Sequence, residues 1–190
     1  DEDGGTGVTV ILPPKGSTAG VDVRGGAPGT RECVLLGPTY AVSEVHAIVL
    51  SGGSAFGLDS ATGVMEALRD DGIGFDVGVG VVPIVPAAVL FDLTYKKADI
   101  WPDKAMGRAA YEAASSGDRR QGVIGAGCGA TVAKTMGPAY AKKSGVGSAS
   151  ITVGDVVFSA LVVVNAFGHI QDAETGEILA APEVDGITYS

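Results

Sequence analysis

The segment Ser148-Ala-Ser-Ile-Thr-Val-Gly-Asp-Val-Val-Phe-Ser-Ala-Leu-Val-Val-Val164 decides the fold class. Two β-rich runs flank Gly154-Asp155. A Gly-Asp link between such runs signals a hairpin, because the tight turns that match strand twist need positive φ. Paired hairpin strands are antiparallel, which does not suit the strand–helix alternation of a doubly wound parallel sheet.

N-terminal to the hairpin lies Gly125-Ala-Gly-Cys-Gly-Ala-Thr-Val-Ala-Lys134. Glycine lacks a Cβ, so a loop this poor in side chains lets another group approach its backbone. Its amides are expected to face an anion or a developing oxyanion, with Lys134 as a compact cation at the edge. A tight packed connection between elements is the competing reading. Asn165 ends the second hairpin run. A carboxamide at the end of an apolar strand needs hydrogen-bond partners. These are either a local turn or a substrate oxygen, as in oxyanion holes.

Further out, Val45-His-Ala-Ile-Val-Leu50 reads as a strand that runs into Ser51-Gly-Gly-Ser-Ala-Phe-Gly57. Leu58, Ala61, Met65 and Leu68 then recur at helical spacing, and Gly72 is placed to stop the helix. The helix start beside the glycine turn is a natural ligand position. Val8–Leu12 is a strand halted by Pro13-Pro14, and Asp22 and Arg24 are placed to pin the loop that follows. Pro83 and Pro86 exclude a helix interior or a central strand between them, whereas Ala87–Leu93 suits a buried strand. Pro102-Asp103 opens a second helix. Met106, Ala109, Ala110 and Ala113 give it a small-residue face fitted to a sheet or to a second subunit. Hairpins together with two helices predict a layered α+β fold, in one domain covering residues 1–190.

Composition bounds the function. With 190 residues and 46% hydrophobic content the chain is of single-domain size and can bury a core. A net charge of −9 argues against a nucleic-acid surface. Basic residues cluster only in short pairs such as Lys96-Lys97, Arg119-Arg120 and Lys142-Lys143. Neither apolar stretch, 78–91 or 156–164, is long enough to span a bilayer. No leader-like segment opens the chain, so the expectation is a cytoplasmic protein without membrane contact. Cys33 and Cys128 allow one disulfide but no framework. His46 and His169 lack metal-ligand spacing, so no metal and no cofactor is expected.

Three motif readings fall short. Gly125-x-Gly127-x-x-Ala130 fits the dinucleotide fingerprint only formally, because a hairpin follows it instead of a βαβ unit. Lys134-Thr135 is not a phosphate loop, since Cys128 and Ala133 occupy positions that need glycine. Ser54 approaches a nucleophile elbow, but Phe56 replaces the last glycine. Cys128 reads either as a thiolate near Lys134 or as packing.

The ordered set Thr9–Pro14, Asp22–Glu32, Leu50–Leu58, Val81–Pro86, Ala88–Leu93, Gly125–Thr131 with Lys134, and Leu161–Gly168 is similar to the L-aminopeptidase/D-amidase/esterase family. β-Aminopeptidases and nylon-oligomer hydrolases belong to that family. The resemblance covers nearly the whole chain. It implies a four-layer αββα sandwich of the self-processing N-terminal-nucleophile type, with residues 1–190 as the larger α fragment, trimmed at both ends. The Ser or Thr nucleophile is then supplied by the β fragment of the same precursor. It also implies that Lys134 and Asn165 are catalytic, and that Ser54, Phe56 and Phe91 line the pocket for a small peptide or amide substrate. The protein would work as a homo-oligomer of αβ units. Family members carry a tyrosine where this chain has Phe91. Two rival functions stay open at this stage: a non-catalytic binding or assembly subunit, and an amino-acid acyltransferase.

Overall fold

A computed structural model describes every residue except Glu2, Arg119 and Ser190. Arg119 of the Arg119-Arg120 pair and the terminal Ser190 therefore lie outside the described residues. The centre is a four-stranded sheet built from β1 (Val8–Ile11), β2 (Thr30–Arg31), β3 (Ile48–Ser51) and β6 (Ala87–Val89), in the order β1-β3-β6-β2. β3 and β6 are parallel, while β1 and β2 run antiparallel to their neighbours. Between β3 and β6 the chain makes α1 (Ser60–Asp70) and a short hairpin of β4 (Phe75–Asp76) with β5 (Val81–Val82).

One face of this sheet makes the core. Val49 and Ala87 meet Ala61, Val64 and Leu68 of α1, with Val8 and Val10 packed at the margin. These residues alternate along their strands because successive side chains of a strand point to opposite faces. Full burial of a Val or Leu side chain contributes about 1.5–3 kcal/mol. The predicted α1 ends close to Gly72, which takes a φ of 71° just after the helix cap.

α2 (Lys104–Glu112) begins as expected at Asp103, whose carboxylate accepts the Met106 amide at 2.9 Å. It packs against α1 of the same chain through Gly107, its one buried residue. A Cβ on Gly107 would collide with the Ser60 carbonyl, and one on Gly63 with the Lys104 carbonyl. Two glycines thus let the backbones approach at an internal helix crossing, while the face offered above for a sheet or a second subunit keeps Ala109 and Ala113 exposed. Arg108 with Asp70 at 2.7 Å, and the Tyr111 hydroxyl donating to Asp71 at 2.6 Å, tie the outer edge of this pair.

Four further small sheets follow. β7 (Thr131–Val132) pairs with β8 (Lys142–Lys143), β11 (Ile170–Gln171) with β12 (Ile178–Ala180), and β13 (Glu183–Val184) with β14 (Ile187–Thr188). The hairpin that opened the sequence analysis is β9 (Val146–Val153) with β10 (Val156–Val163). Gly154 adopts a φ of 60° at its turn. The register pairs Ile151 with Phe158, Ala149 with Ala160, Gly147 with Val162 and Val153 with Val156. One face of the ribbon is therefore wholly apolar. It is also exposed: Ile151, Val153, Val156 and Phe158 are each more than half accessible. The ribbon is anchored at its Val146 end, which is buried and bridges Gly122.

Smaller differences have local causes. Ala87–Leu93 is strand only to Val89; beyond it Leu90 bonds Ser51 and Ser54, the Phe91 carbonyl accepts from Asn165, and Asp92 accepts from Gly53 and Thr6. Gly125–Cys128 is a turn of 3₁₀ helix and not an open loop. Both cysteines are free thiols. Asp22 and Arg24 do pair, at 2.7 Å, but in full solvent, where such pairs contribute about 0–1 kcal/mol.

Candidate active site

The parallel strands β3 and β6 end together, and the chain leaves them as Gly52-Gly53 and as Leu90-Phe91-Asp92. Thr6, just before β1, reaches the same end of the sheet. The Gly125–Lys134 stretch packs beside it, since the Thr9 hydroxyl accepts the Ala126 amide at 3.0 Å. Ends of parallel strands collect loops in this way, and ligand sites in open sheets form there.

Lys134 and Asn165 meet at this end. The Lys134 ammonium donates to Asn165 Oδ1 at 2.9 Å and to the Asn165 carbonyl at 3.1 Å. The Thr131 amide donates to the same Oδ1 at 3.0 Å. Two donors on one oxygen fix which way the carboxamide faces. Its Nδ2 then donates to the Phe91 carbonyl at 3.0 Å. A carboxamide nitrogen carries two protons, and among the described residues only the Phe91 carbonyl accepts from it. An ammonium likewise has three protons, two of which go to Asn165. Burial holds the Lys134 ammonium below its ordinary pKa.

A cavity of about 230 Å³ opens beside Lys134, walled by Thr94, Tyr95, Thr131, Pro138 and Lys143. Ser54, Phe56 and Phe91 do not line it. Ser54 has a φ of 54° and donates its amide to Leu90 at 3.0 Å. Phe56 stacks on Trp101 with ring centroids 4.5 Å apart, and its ring is more than half exposed, as is that of Phe91. Phe91 reaches the site through its carbonyl and not through its ring. A larger cavity of about 300 Å³ lies elsewhere, between residues 19–33 and strands β3 and β6.

Most loop amides expected to face an anion are spent inside the chain. Gly127 donates to Ile124, Ala130 to Gly127, Ala133 to Gly168 and Lys134 to Phe167. The Thr131 amide alone among these five serves a side chain of the site. His46 is also engaged, its Nδ1 accepting the Ile84 amide at 3.0 Å.

Two residues of the site were missed in sequence. Lys143 sends its ammonium to the carbonyls of Gly127, Ala130 and Ser144 at 2.8, 2.6 and 2.9 Å, and lies 5.0 Å from the Tyr95 ring centre. It caps the exposed carbonyl end of the 125–128 turn, and burial lowers its pKa. Asp92 is buried beneath the glycine turns. No sequence spacing marks either residue, because Asp92 is held by Gly53 and Thr6, and Lys143 by the carbonyls of Gly127 and Ala130, all distant in the chain. Among the described residues no cluster of His, Cys, Asp and Glu could hold a metal ion, and no helix is long and apolar enough to cross a membrane.

Comparison with known proteins places this sequence in a family. The sequence model of peptidase family S58 matches residues 1–186. This chain belongs to peptidase family S58. The S58 chain is 47% identical over 171 residues to an uncharacterized aminopeptidase of Mycobacterium tuberculosis (strain ATCC 25618 / H37Rv), covering 90% of this chain and 47% of that protein. It is 38% identical over 175 residues to a 6-aminohexanoate-oligomer endohydrolase of Kocuria sp. (strain KY2), covering 92% and 46% respectively. A 6-aminohexanoate-oligomer endohydrolase of Agromyces sp. (strain KY5R) is 39% identical over 171 residues, covering 90% and 45%. The S58 chain thus spans about half the length of the curated relatives it matches. The resemblance drawn from sequence motifs and the family match agree.

Proposed function

We propose that this chain forms the larger part of an N-terminal-nucleophile amidohydrolase, which releases amino acids from the amino end of peptides, amides or esters. The observation that carries the reading is the Lys134–Asn165 seat. A carboxamide locked by an ammonium and by a backbone amide directs its remaining N–H to a fixed point. Such a preorganised donor lowers the energy of an oxyanion without reorganising during the reaction.

The nucleophile is a Ser or Thr at the start of a companion β fragment, released when the precursor cleaves itself. Its own α-amine, with an ordinary pKa of about 7.7–8.0, takes the hydroxyl proton as the oxygen attacks the scissile carbonyl. The Lys134 cation nearby keeps that amine in its neutral, proton-accepting form. The amine then returns the proton to the departing nitrogen, and water releases the acyl group in a second round. Names borne by relatives support an amide substrate, in one case a peptide and in the other an aminohexanoate oligomer.

Two features support the companion fragment. The apolar face of the β9–β10 ribbon and the edge of β10 suit additional strands, and the relatives are about twice as long. In the proposed four-layer αββα assembly, α1 and α2 form one outer layer and the ribbon joins an inner sheet with the fragment. The αβ units would associate further, through surfaces other than the α1–α2 crossing.

Intact-mass measurement of the expressed gene product, paired with hydrolysis of amino-acid p-nitroanilides and short amide oligomers, tests the proposal. The expected result is a second, smaller fragment beginning with Ser or Thr, together with turnover. An uncut product that hydrolyses none of these substrates refutes it.

A further inference from the structure

Asp92 is only 4% exposed, and the mechanism above gives it no chemical step. A buried carboxylate is costly to desolvate, and an apolar residue would pack in its place without that penalty. Its two oxygens have defined partners. Oδ1 accepts the Gly53 amide at 2.7 Å, and Oδ2 accepts the Thr6 hydroxyl at 2.8 Å. The surrounding backbone has no room to spare. A Cβ added to Gly52 or to Gly129 would collide with the Asp92 carboxylate, so both segments lie directly against it.

Those two segments lead to the two sides of Asn165. Gly129 is followed at two residues by Thr131, whose amide holds Asn165 Oδ1. Phe91, adjacent to Asp92 in the chain, supplies the carbonyl that holds Nδ2. Leu90 completes the junction, accepting the Ser54 amide at 3.0 Å and donating its own amide to Ser51 at 2.9 Å. Three consecutive residues thus join the Gly52–Ser54 turn, the segment before β1 and the Asn165 carboxamide.

We infer that Asp92 is a positioning residue: by clamping Gly53 and Thr6, and by backing Gly129, its carboxylate fixes the Phe91 carbonyl and the Thr131 amide between which Asn165 is held. This rests on the amidohydrolase reading for its consequence in catalysis, but not for the clamp itself. A shift of about 1 Å in a group that orients the reacting centre can cost on the order of 100-fold in rate.

Asn165 is the single asparagine of these 190 residues, and the ¹⁵N-asparagine side-chain signals that disappear in Asn165→Asp assign its carboxamide in the whole protein. Its two N–H signals are expected to be inequivalent and slow to exchange in the wild type. Asp92→Ala removes the carboxylate, and Thr6→Val removes the hydroxyl at nearly constant shape. Both should shift and broaden the Asn165 signals, whereas Thr6→Ser should retain the wild-type spectrum. In the processed enzyme, Asp92→Ala should lower kcat about 100-fold with KM within about twofold. Wild-type carboxamide signals in Asp92→Ala and Thr6→Val overturn the inference, as does an unchanged kcat. Should Asp92→Ala fail to fold, the contrast between Thr6→Val and Thr6→Ser decides by the same signals. If the wild type hydrolyses no amide yet its signals respond to Thr6→Val, the clamp is supported and the amidohydrolase reading fails separately.

Discussion

Replacing Lys134 by alanine separates catalysis from folding. The substitution deletes the hydrogen bonds at 2.9 and 3.1 Å to Asn165. Bonds to a charged group contribute about 1.5–3 kcal/mol each before desolvation is counted. The loss is partly offset, because burial already disfavours this ammonium and lowers its pKa, and because Oδ1 keeps the Thr131 amide at 3.0 Å. The net cost should be about 1–2 kcal/mol, a fall in Tm of a few degrees at about 2–4 °C per kcal/mol for a chain of this size. The rate should suffer more. Loss of the cation and of the fixed carboxamide removes a preorganised donor, which costs about 10²–10³ in kcat, or about 2.7–4 kcal/mol. Wild-type turnover of amino-acid p-nitroanilides should also fall on the alkaline side below pH 10.5, the ordinary lysine pKa, and that limb should be missing from any residual activity of the variant. Thermal melting and initial rates on one preparation provide both measurements. Turnover within twofold of wild type in a well-folded Lys134→Ala would refute the role assigned to the ammonium.

Phe91→Tyr restores the tyrosine that the family resemblance places there. The ring is more than half exposed, so the melt should be unchanged while kcat rises several-fold, by the scale of one added oxyanion donor at partial efficiency; an unchanged or lower kcat would place the hydroxyl out of reach. Gly107→Ala should destabilise the fold by about 1–3 kcal/mol, because the new methyl meets the Ser60 carbonyl and the overpacking exceeds the helix-propensity gain of about 1 kcal/mol; denaturant titration would reveal a neutral or stabilised variant if the crossing is looser. Burial and then the hydrogen bond to Asp71 push Tyr111 up to about 12 from 10.0. A raised folded-state pKa adds stability that is complete below pH 10 and is lost as pH rises through about 12; Tyr111→Phe should therefore be less stable than wild type at pH 8, and the gap should close in strongly alkaline solution, as chemical denaturation at several pH values would register.

Much of this architecture is legible in the residue order. The Gly154-Asp155 turn, the Leu58–Leu68 helical spacing, the Asp103 cap and the stop at Gly72 are local signals, each acting within a few residues of the chain. Lys134 and Asn165 could be singled out because a lone lysine beside glycines and an uncharged amide ending an apolar run are conspicuous in one dimension. Their functional pairing is another matter, since it joins positions on either side of a long hairpin.

What the sequence by itself determined is therefore the inventory: the strand and helix segments, the family and the polar groups available. Only the tertiary structure decided how they are used. The α2 glycine lies against α1, most glycine-loop amides are consumed at home, and Asp92 and Lys143 tie together segments distant in the chain. Those outcomes depend on close backbone approach and on hydrogen bonds between distant segments. Such contacts depend on distances in space, which neither periodicity nor composition encodes.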